Sequence, residues 1–182
     1  MAADPLWETL TTICLWRSQW YNLRQDRIRL PTSEEITYTY QDHPGAVLVV
    51  PFTSDGRVVL IRQYRHPIRE WLWEVPAGAV EAPETPVEAA WRELAEEIGG
   101  TANEMQLVGD FFAASSVSNL RIYVFLAADV VLDVPTNREA TELIEIALFP
   151  VEEALAMARS GVIRDGQSAL ALLWCEPLWA HL

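Results

Sequence analysis

The amino-acid sequence predicts an α/β (α+β) fold in which a mixed β-sheet is sandwiched by helices. Three observations carry that expectation. Short apolar or alternating runs recur between turn residues through most of the chain, one amphipathic helix with its own start and stop signals interrupts them, and two more helical stretches close the chain. Strands with a few intervening helices bury their apolar faces most simply as a sheet covered on both sides. Residues 1–45 read as an N-terminal strand segment, expected to form dimers, and residues 46–182 as the main domain.

In order along the chain, Leu6 to Tyr40 alternates loosely between aromatic or branched residues and polar ones. It ends in the strand Ile36-Thr37-Tyr38-Thr39-Tyr40 after a turn at Pro31-Thr32-Ser33. Asp42-His43-Pro44-Gly45 breaks the chain, and Ala46 to Phe52 is a nearly continuous apolar run, as in a strand buried on both faces. Asp55-Gly56 predicts a hairpin turn into Val58-Val59-Leu60-Ile61. A third extended run, Trp71 to Val75, leads through Pro76-Ala77-Gly78 into an acidic loop that lasts to Glu84. Thr85-Pro86-Val87-Glu88 then combines an N-cap Thr, a first-turn Pro and a Glu three residues after the cap, the pattern of a capping box. Val87, Ala90, Trp91, Leu94 and Ile98 form one apolar stripe, and Gly99-Gly100 ends the helix. Met105 to Phe112, Ile122 to Val131 and Leu143 to Phe149 read as strands. Val151 to Ser160 and Gln167 to Trp174 read as helices, the first with Gly161 as C-cap.

Composition excludes several function classes. The 182 residues are 51% hydrophobic and 21% charged, which is globular rather than disordered. Acidic side chains outnumber basic ones 26 to 13, and a formal charge of -13 repels nucleic-acid backbones and anionic membranes. Cys14 and Cys175 stand alone, without the spacing of a zinc site or a disulfide framework. Met1 to Leu10 carries Asp4 and Glu8 and no basic-then-apolar leader, and no apolar run approaches the ~20 residues of a membrane span. A reducing cytoplasm is the default expectation.

Chemistry concentrates on the first helix. At ~100° per residue, Glu93, Glu96 and Glu97 fall within an arc of roughly 100°, away from the Val87/Trp91/Leu94 stripe. Glu93 and Glu97 stand one turn apart and repel. Arg92 reaches Glu96 four residues on, but one guanidinium does not offset three carboxylates. They are either solvated surface acids or ligands of a hard divalent cation.

The residues Gly78, Glu84, Arg92, Glu93, Leu94, Glu96, Glu97 and Gly99 resemble the Nudix box, with Gly100 in place of the usual aliphatic residue at its end. Arg62-Gln63-Tyr64-Arg65, Glu74-Val75-Pro76-Ala77-Gly78 and Glu142-Leu143-Ile144-Glu145 extend the likeness to the ADP-ribose pyrophosphatase branch of that superfamily. The resemblance implies an α/β/α sandwich and makes residues 46–182 the Nudix hydrolase domain. It implies that Glu93 and Glu97 bind Mg²⁺, or Mn²⁺, with the Ala77 carbonyl, and that Glu96 is a further ligand or a base. Glu84 and Arg92 would orient the loop and the helix.

Hydrolysis of a diphosphate needs its charge neutralised and a base for the attacking water. Many relatives carry a Glu in the loop that here reads Ser115-Ser116-Val117-Ser118-Asn119-Leu120-Arg121, and Leu120 stands at its place. Other members use a Glu from the acidic loop before the next strand, a position that Glu142 matches, with Glu139 in reserve. Arg65 corresponds to an arginine aimed at the diphosphate. Trp20, beside Tyr21, corresponds to N-terminal residues that stack on adenine in related dimers, and Arg27 is a second candidate for that pocket.

The implied activity is hydrolysis of a nucleoside diphosphate derivative, ADP-ribose to AMP and ribose 5-phosphate, by a cytoplasmic homodimer. Ser115, where many such enzymes have Pro, leaves open GDP-mannose, FAD, NADH or a dinucleoside polyphosphate. The carboxylate-free loop leaves open a non-catalytic nucleotide sensor.

Overall fold

Two compact units make up the chain, Met1–Gly45 with Phe112–Arg121 and Ala46–Phe111 with Ile122–Leu182. The computed structural model describes residues 6–138 and 143–179.

The first unit is an antiparallel sheet of β1 (Glu8–Arg17), β2 (Asn22–Arg29) and β3 (Glu35–Asp42), in that order. Only the last of these was legible as a strand. The reason is visible in the exposure of β1, where Ile13, Leu15 and Trp16 are about half exposed (52%, 48% and 50%). With no buried face to enforce it, the apolar/polar alternation that marks a strand is blurred. A turn at Ser18–Tyr21 joins β1 to β2, and the Ser18 hydroxyl closes it by accepting from the Trp20 and Tyr21 amides and donating to the Tyr21 carbonyl. Thus Trp20 lies in a turn between two strands. The turn at Pro31-Thr32-Ser33 is present, with Ser33 at φ 70°.

Residues 113–120 are stitched to β3 of the same unit. Gln41 donates its amide to the Val117 carbonyl (2.9 Å), Asn119 returns its own to Gln41 (3.2 Å), and the Asn119 side chain bridges Asp42 and the His43 amide.

In the second unit, β4 (Ala46–Pro51) pairs in parallel with β10 (Arg121–Ala128) and antiparallel with β7 (Ala77–Ala79), and β9 (Glu104–Phe112) flanks β10. A second sheet holds β12 (Ile144–Pro150), β5 (Arg57–Arg65) and β6 (Glu70–Glu74), all antiparallel, while β8 (Gly100–Thr101) and β11 (Val131–Leu132) form a short pair. Asp55-Gly56 does turn the chain, with Gly56 at φ 81°, but β4 and β5 enter different sheets and share only the bridge Phe52 to Val58. The expected hairpin is therefore a corner. Likewise, Ile122 to Val131 is not one strand, because Asp129 at φ 55° breaks it into β10 and β11.

The core lies between the sheets and α1 (Pro86–Ile98), where Val47, Val49, Val59, Ile61 and Phe125 meet Ala89, Ala90, Leu94 and Ile98. Leu48 and Val50, buried as well, take the other face of β4, on which α3 (Gly166–Trp179) packs beside α2 (Val151–Ser160). Helices thus cover both sides, as in an α/β/α sandwich. Gly161 ends α2 in the left-handed conformation (φ 78°), and α3 runs on past Trp174 through Pro177. Among the described residues, no helix is long and apolar enough to cross a membrane.

Candidate active site

α1 starts where its cap chemistry puts it. The Thr85 side chain accepts from the Glu88 amide, Glu88 accepts from the Thr85 amide at 2.7 Å, and Pro86 sits in the first turn. Gly99 ends it at φ 64°, where a Cβ would lie 2.2 Å from the Val134 carbonyl oxygen. Gly100 is also a close fit, since its Cβ would approach Leu94 Cγ and Cδ1 at 3.0 Å.

The helix is turned differently from the apolar stripe read in the sequence. Val87 (39%) and Trp91 (38%) are exposed, while Glu93 and Glu97 are buried at 6% and 2% exposure. A stripe drawn through the apolar residues assumes that the buried face is apolar. Here two carboxylates occupy it, and burying charge without a specific partner is costly.

Their surroundings explain how it is tolerated. Glu97 Oε2 accepts from the Ala77 amide at 2.9 Å, which ties the helix to β7. Glu93 lies over Gly78 so closely that a Cβ there would fall 1.7 Å from Oε1. Arg92 grips Glu84 through two nitrogens (2.8 and 3.1 Å), reaches Glu93 at 2.6 Å and Glu96 at 3.2 Å, and donates to the Ala79 carbonyl at 2.9 Å. The guanidinium pKa rises, chiefly through Glu84, and Glu84 is held below the ordinary carboxylate value by Arg92. Sequence spacing alone found only the Arg92 to Glu96 contact; the reach across to the loop needed the fold.

Arg65, at the end of β5, is bound by the carboxylate of Glu74, buried at 3% exposure on the neighbouring strand. That bond is the main cause of the raised Arg65 pKa, and Glu97 and Asp165 add to it at longer range. Gln63, on the same face of β5 and 5% exposed, has a side-chain oxygen with no hydrogen-bond partner among the described residues. Arg138 was not singled out in the sequence. It donates to the Glu97 carbonyl (2.8 Å) and to the Ile144 carbonyl (3.0 Å), joining the C-terminal end of α1 to β12. Glu139 and Glu142 lie outside the described residues.

Trp20 and Arg27 belong to the first unit. Trp20, 56% exposed, borders an open concavity of about 330 Å³ with Tyr21, Asp42 and His43. Arg27 pairs with Glu35 near the far end of β2. Arg27 lies five strand steps from Asn22, about 17 Å along β2 at ~3.4 Å each.

The chemistry of the donors fits a hard divalent cation: they are all oxygens, two of the carboxylates are buried, and glycine leaves room at position 78. Among the described residues, no three acidic, imidazole or thiol side chains are gathered closely enough to hold an ion by themselves. A cation at this place would draw its remaining ligands from backbone carbonyls, water or substrate.

Comparison with known proteins agrees with this geometry. The model of the NUDIX domain matches residues 42–169. The chain is 30% identical to an ADP-ribose pyrophosphatase of Bacillus subtilis over 85% of its length and 84% of the relative's. It is 31% identical to an ADP-ribose pyrophosphatase of Mycobacterium tuberculosis over 88% and 79% of the two chains. A solved structure described as an ADP compounds hydrolase superposes with a TM-score of 0.83 at 19% identity, over 100% of this chain and 98% of that one. With the box residues gathered on one loop and one helix of this fold, the chain belongs to the Nudix family and is a hydrolase.

Proposed function

We propose that this protein is a Mg²⁺-dependent pyrophosphatase that hydrolyses ADP-ribose to AMP and ribose 5-phosphate. The observation that carries the reading is the buried pair Glu93 and Glu97, one turn apart on α1 and set against Gly78 and the Ala77 amide. Two carboxylates buried side by side are costly, and a divalent cation bound between them would offset that cost.

Glu93 and Glu97 would hold the cation with the Ala77 carbonyl, and Glu96, not gathered with them closely enough for a third side-chain ligand, would act through a bound water. When bound, Mg²⁺ supplies charge neutralisation on the diphosphate and a lower pKa for the attacking water. Arg92 keeps the carboxylates and the Glu84 loop in register. Arg65 offers its guanidinium edge to the diphosphate, and Glu74 prevents that side chain from swinging away. Glu142 takes the proton from water, with Glu139 as the alternative. Trp20 stacks on adenine, contributed by the partner in a homodimer; the half-exposed Ile13, Leu15 and Trp16 of β1 support such an assembly, since a monomer leaves them in water. Sedimentation at a single-chain mass across micromolar concentrations would remove the dimer from this reading. The free Cys14 and Cys175 are consistent with a reducing cytoplasm.

The experiment is a comparison of kcat/KM for ADP-ribose, GDP-mannose, FAD, NADH and dinucleoside polyphosphates with Mg²⁺. ADP-ribose is expected to lead by at least about tenfold. A clear lead for any other member of the panel would overturn the substrate assignment and leave the reaction class standing.

A further inference from the structure

The chain does not enter the Nudix box as a free loop. Four consecutive residues are each held by a different element. The Glu74 carboxylate is held by Arg65 of β5, the Val75 amide donates to Ser168 Oγ of α3 at 3.1 Å, the Pro76 carbonyl accepts from Val49 of β4 at 2.8 Å, and the Ala77 amide donates to Glu97 of α1 at 2.9 Å. Three of these anchors are neighbouring strands or the box helix itself. The fourth comes from a helix 93 positions later in the sequence.

Ser168 is 1% exposed, and its hydroxyl serves two partners. It accepts from Val75 and donates to Asp165 Oδ2 at 2.6 Å, while the Ser168 amide donates to the same oxygen at 2.8 Å. The Asp165 carbonyl accepts from the Ala169 amide, which makes Asp165 the residue that opens α3. A helix cap requires only the amide contact. The additional path from Asp165 through a hydroxyl to the Val75 amide has no part in capping, and only a side chain that both donates and accepts can complete it. Alanine at 168 would leave a buried amide without a partner at the entrance to the box.

We propose that the Asp165–Ser168 pair is a positioning device for the metal-binding loop, fixing the backbone from Val75 to Gly78 and thereby the Ala77 carbonyl and the seat of Glu93 against Gly78. α3 then sets the geometry of the cation site without supplying a ligand. The proposal rests on the metal assignment made under the proposed function, and Ser168 is a positioning residue that touches neither cation nor substrate.

The test compares Ser168→Ala with Ala171→Gly in the full chain. Ala171 is fully buried in the same helix, so the second change loosens α3 without touching Val75. Binding of Mn²⁺ alone is followed by electron paramagnetic resonance, with the melting temperature measured in parallel. Both variants melt lower. Ser168→Ala is expected to raise the Mn²⁺ dissociation constant by about 10-fold or more, the range in which residues behind metal ligands act. Ala171→Gly leaves it unchanged, and Ser168→Thr, which keeps the hydroxyl, returns it towards the wild-type value. Should Ser168→Ala not fold, Asp165→Ala at a half-buried position serves instead, with a weakening of about threefold expected. Wild-type Mn²⁺ affinity in Ser168→Ala, or a loss in both helix variants that follows their melting temperatures, would overturn the positioning role alone. Absence of Mn²⁺ binding in the wild-type protein would overturn the metal assignment and this proposal together.

Discussion

The N-terminal sheet and the loop-helix unit of the box use charge in opposite ways. On β1 to β3, Arg24, Arg27 and Arg29 pair with Asp42, Glu35 and Glu8 at the surface, where water screens such pairs and they contribute little. Those pairs solvate a sheet whose apolar side chains are themselves half exposed. In the box the carboxylates go inside while Val87 and Trp91 of the same helix face water. Charge that is cheap at the surface explains itself; charge that is buried at a cost points to a use.

The comparison is broken most directly by neutralising the buried pair. Glu93→Gln and Glu97→Gln together are expected to remove essentially all turnover, a loss beyond the ~10² to 10⁴-fold of a single acid-base group. The fold should persist, because the amides keep the side-chain volume while buried negative charge is removed. Circular dichroism and melting separate the two effects, and a variant that retains wild-type turnover at moderate Mg²⁺ would refute the site.

Next in size is the base. Glu142→Gln is expected to lower kcat by ~10² to 10⁴-fold with little change in KM, and Glu139→Gln to be much milder. Steady-state kinetics of the two variants decides this. If both keep full activity while Glu96→Gln loses it with metal still bound, the base belongs to the box.

Gly78→Ala sharpens the steric side of the argument. Its Cβ would strike the Glu93 carboxylate, so that side chain must move. A loss of about 10 to 100-fold in kcat/KM is expected, comparable to disturbing a group behind a metal ligand. Unchanged kinetics would mean that Glu93 has freedom to spare.

The smallest effect belongs to the other region. Trp20→Ala removes an exposed turn residue, so the melting temperature should hold while KM for ADP-ribose rises about tenfold, in line with loss of one stacked base. A fall in stability without a change in KM would make Trp20 a packing residue.

The same contrast governs what was legible in the sequence. The limits of α1 could be read because Thr85, Pro86, Glu88 and Gly99 act locally, each through its own backbone neighbours. Its rotation could not, since the apolar stripe through Val87 and Trp91 presumes an apolar interior and a functional site violates that presumption. The strand at β4 was plain because burial on both faces makes it continuously apolar, whereas β1, exposed along most of its length, and β2, half-buried and largely polar, carry no such signature. Spacing named Glu93, Glu96, Glu97 and Arg92. Glu74 was marked only as part of the stretch that carries the resemblance, while Ser168 on α3 and Arg138 in the segment before β12 lie far from the box in sequence, where no local pattern marks them.

The central claim is that Glu93 and Glu97 hold a divalent cation for attack on a diphosphate. Release of AMP from ADP-ribose, measured as Mg²⁺ is titrated into protein stripped by a chelator, tests it most directly. No turnover is expected before Mg²⁺ is added, with saturable recovery as it is restored and equimolar AMP and ribose 5-phosphate as products. Turnover that persists undiminished in excess chelator, or that survives in Glu97→Gln with an unchanged Mg²⁺ requirement, would contradict it.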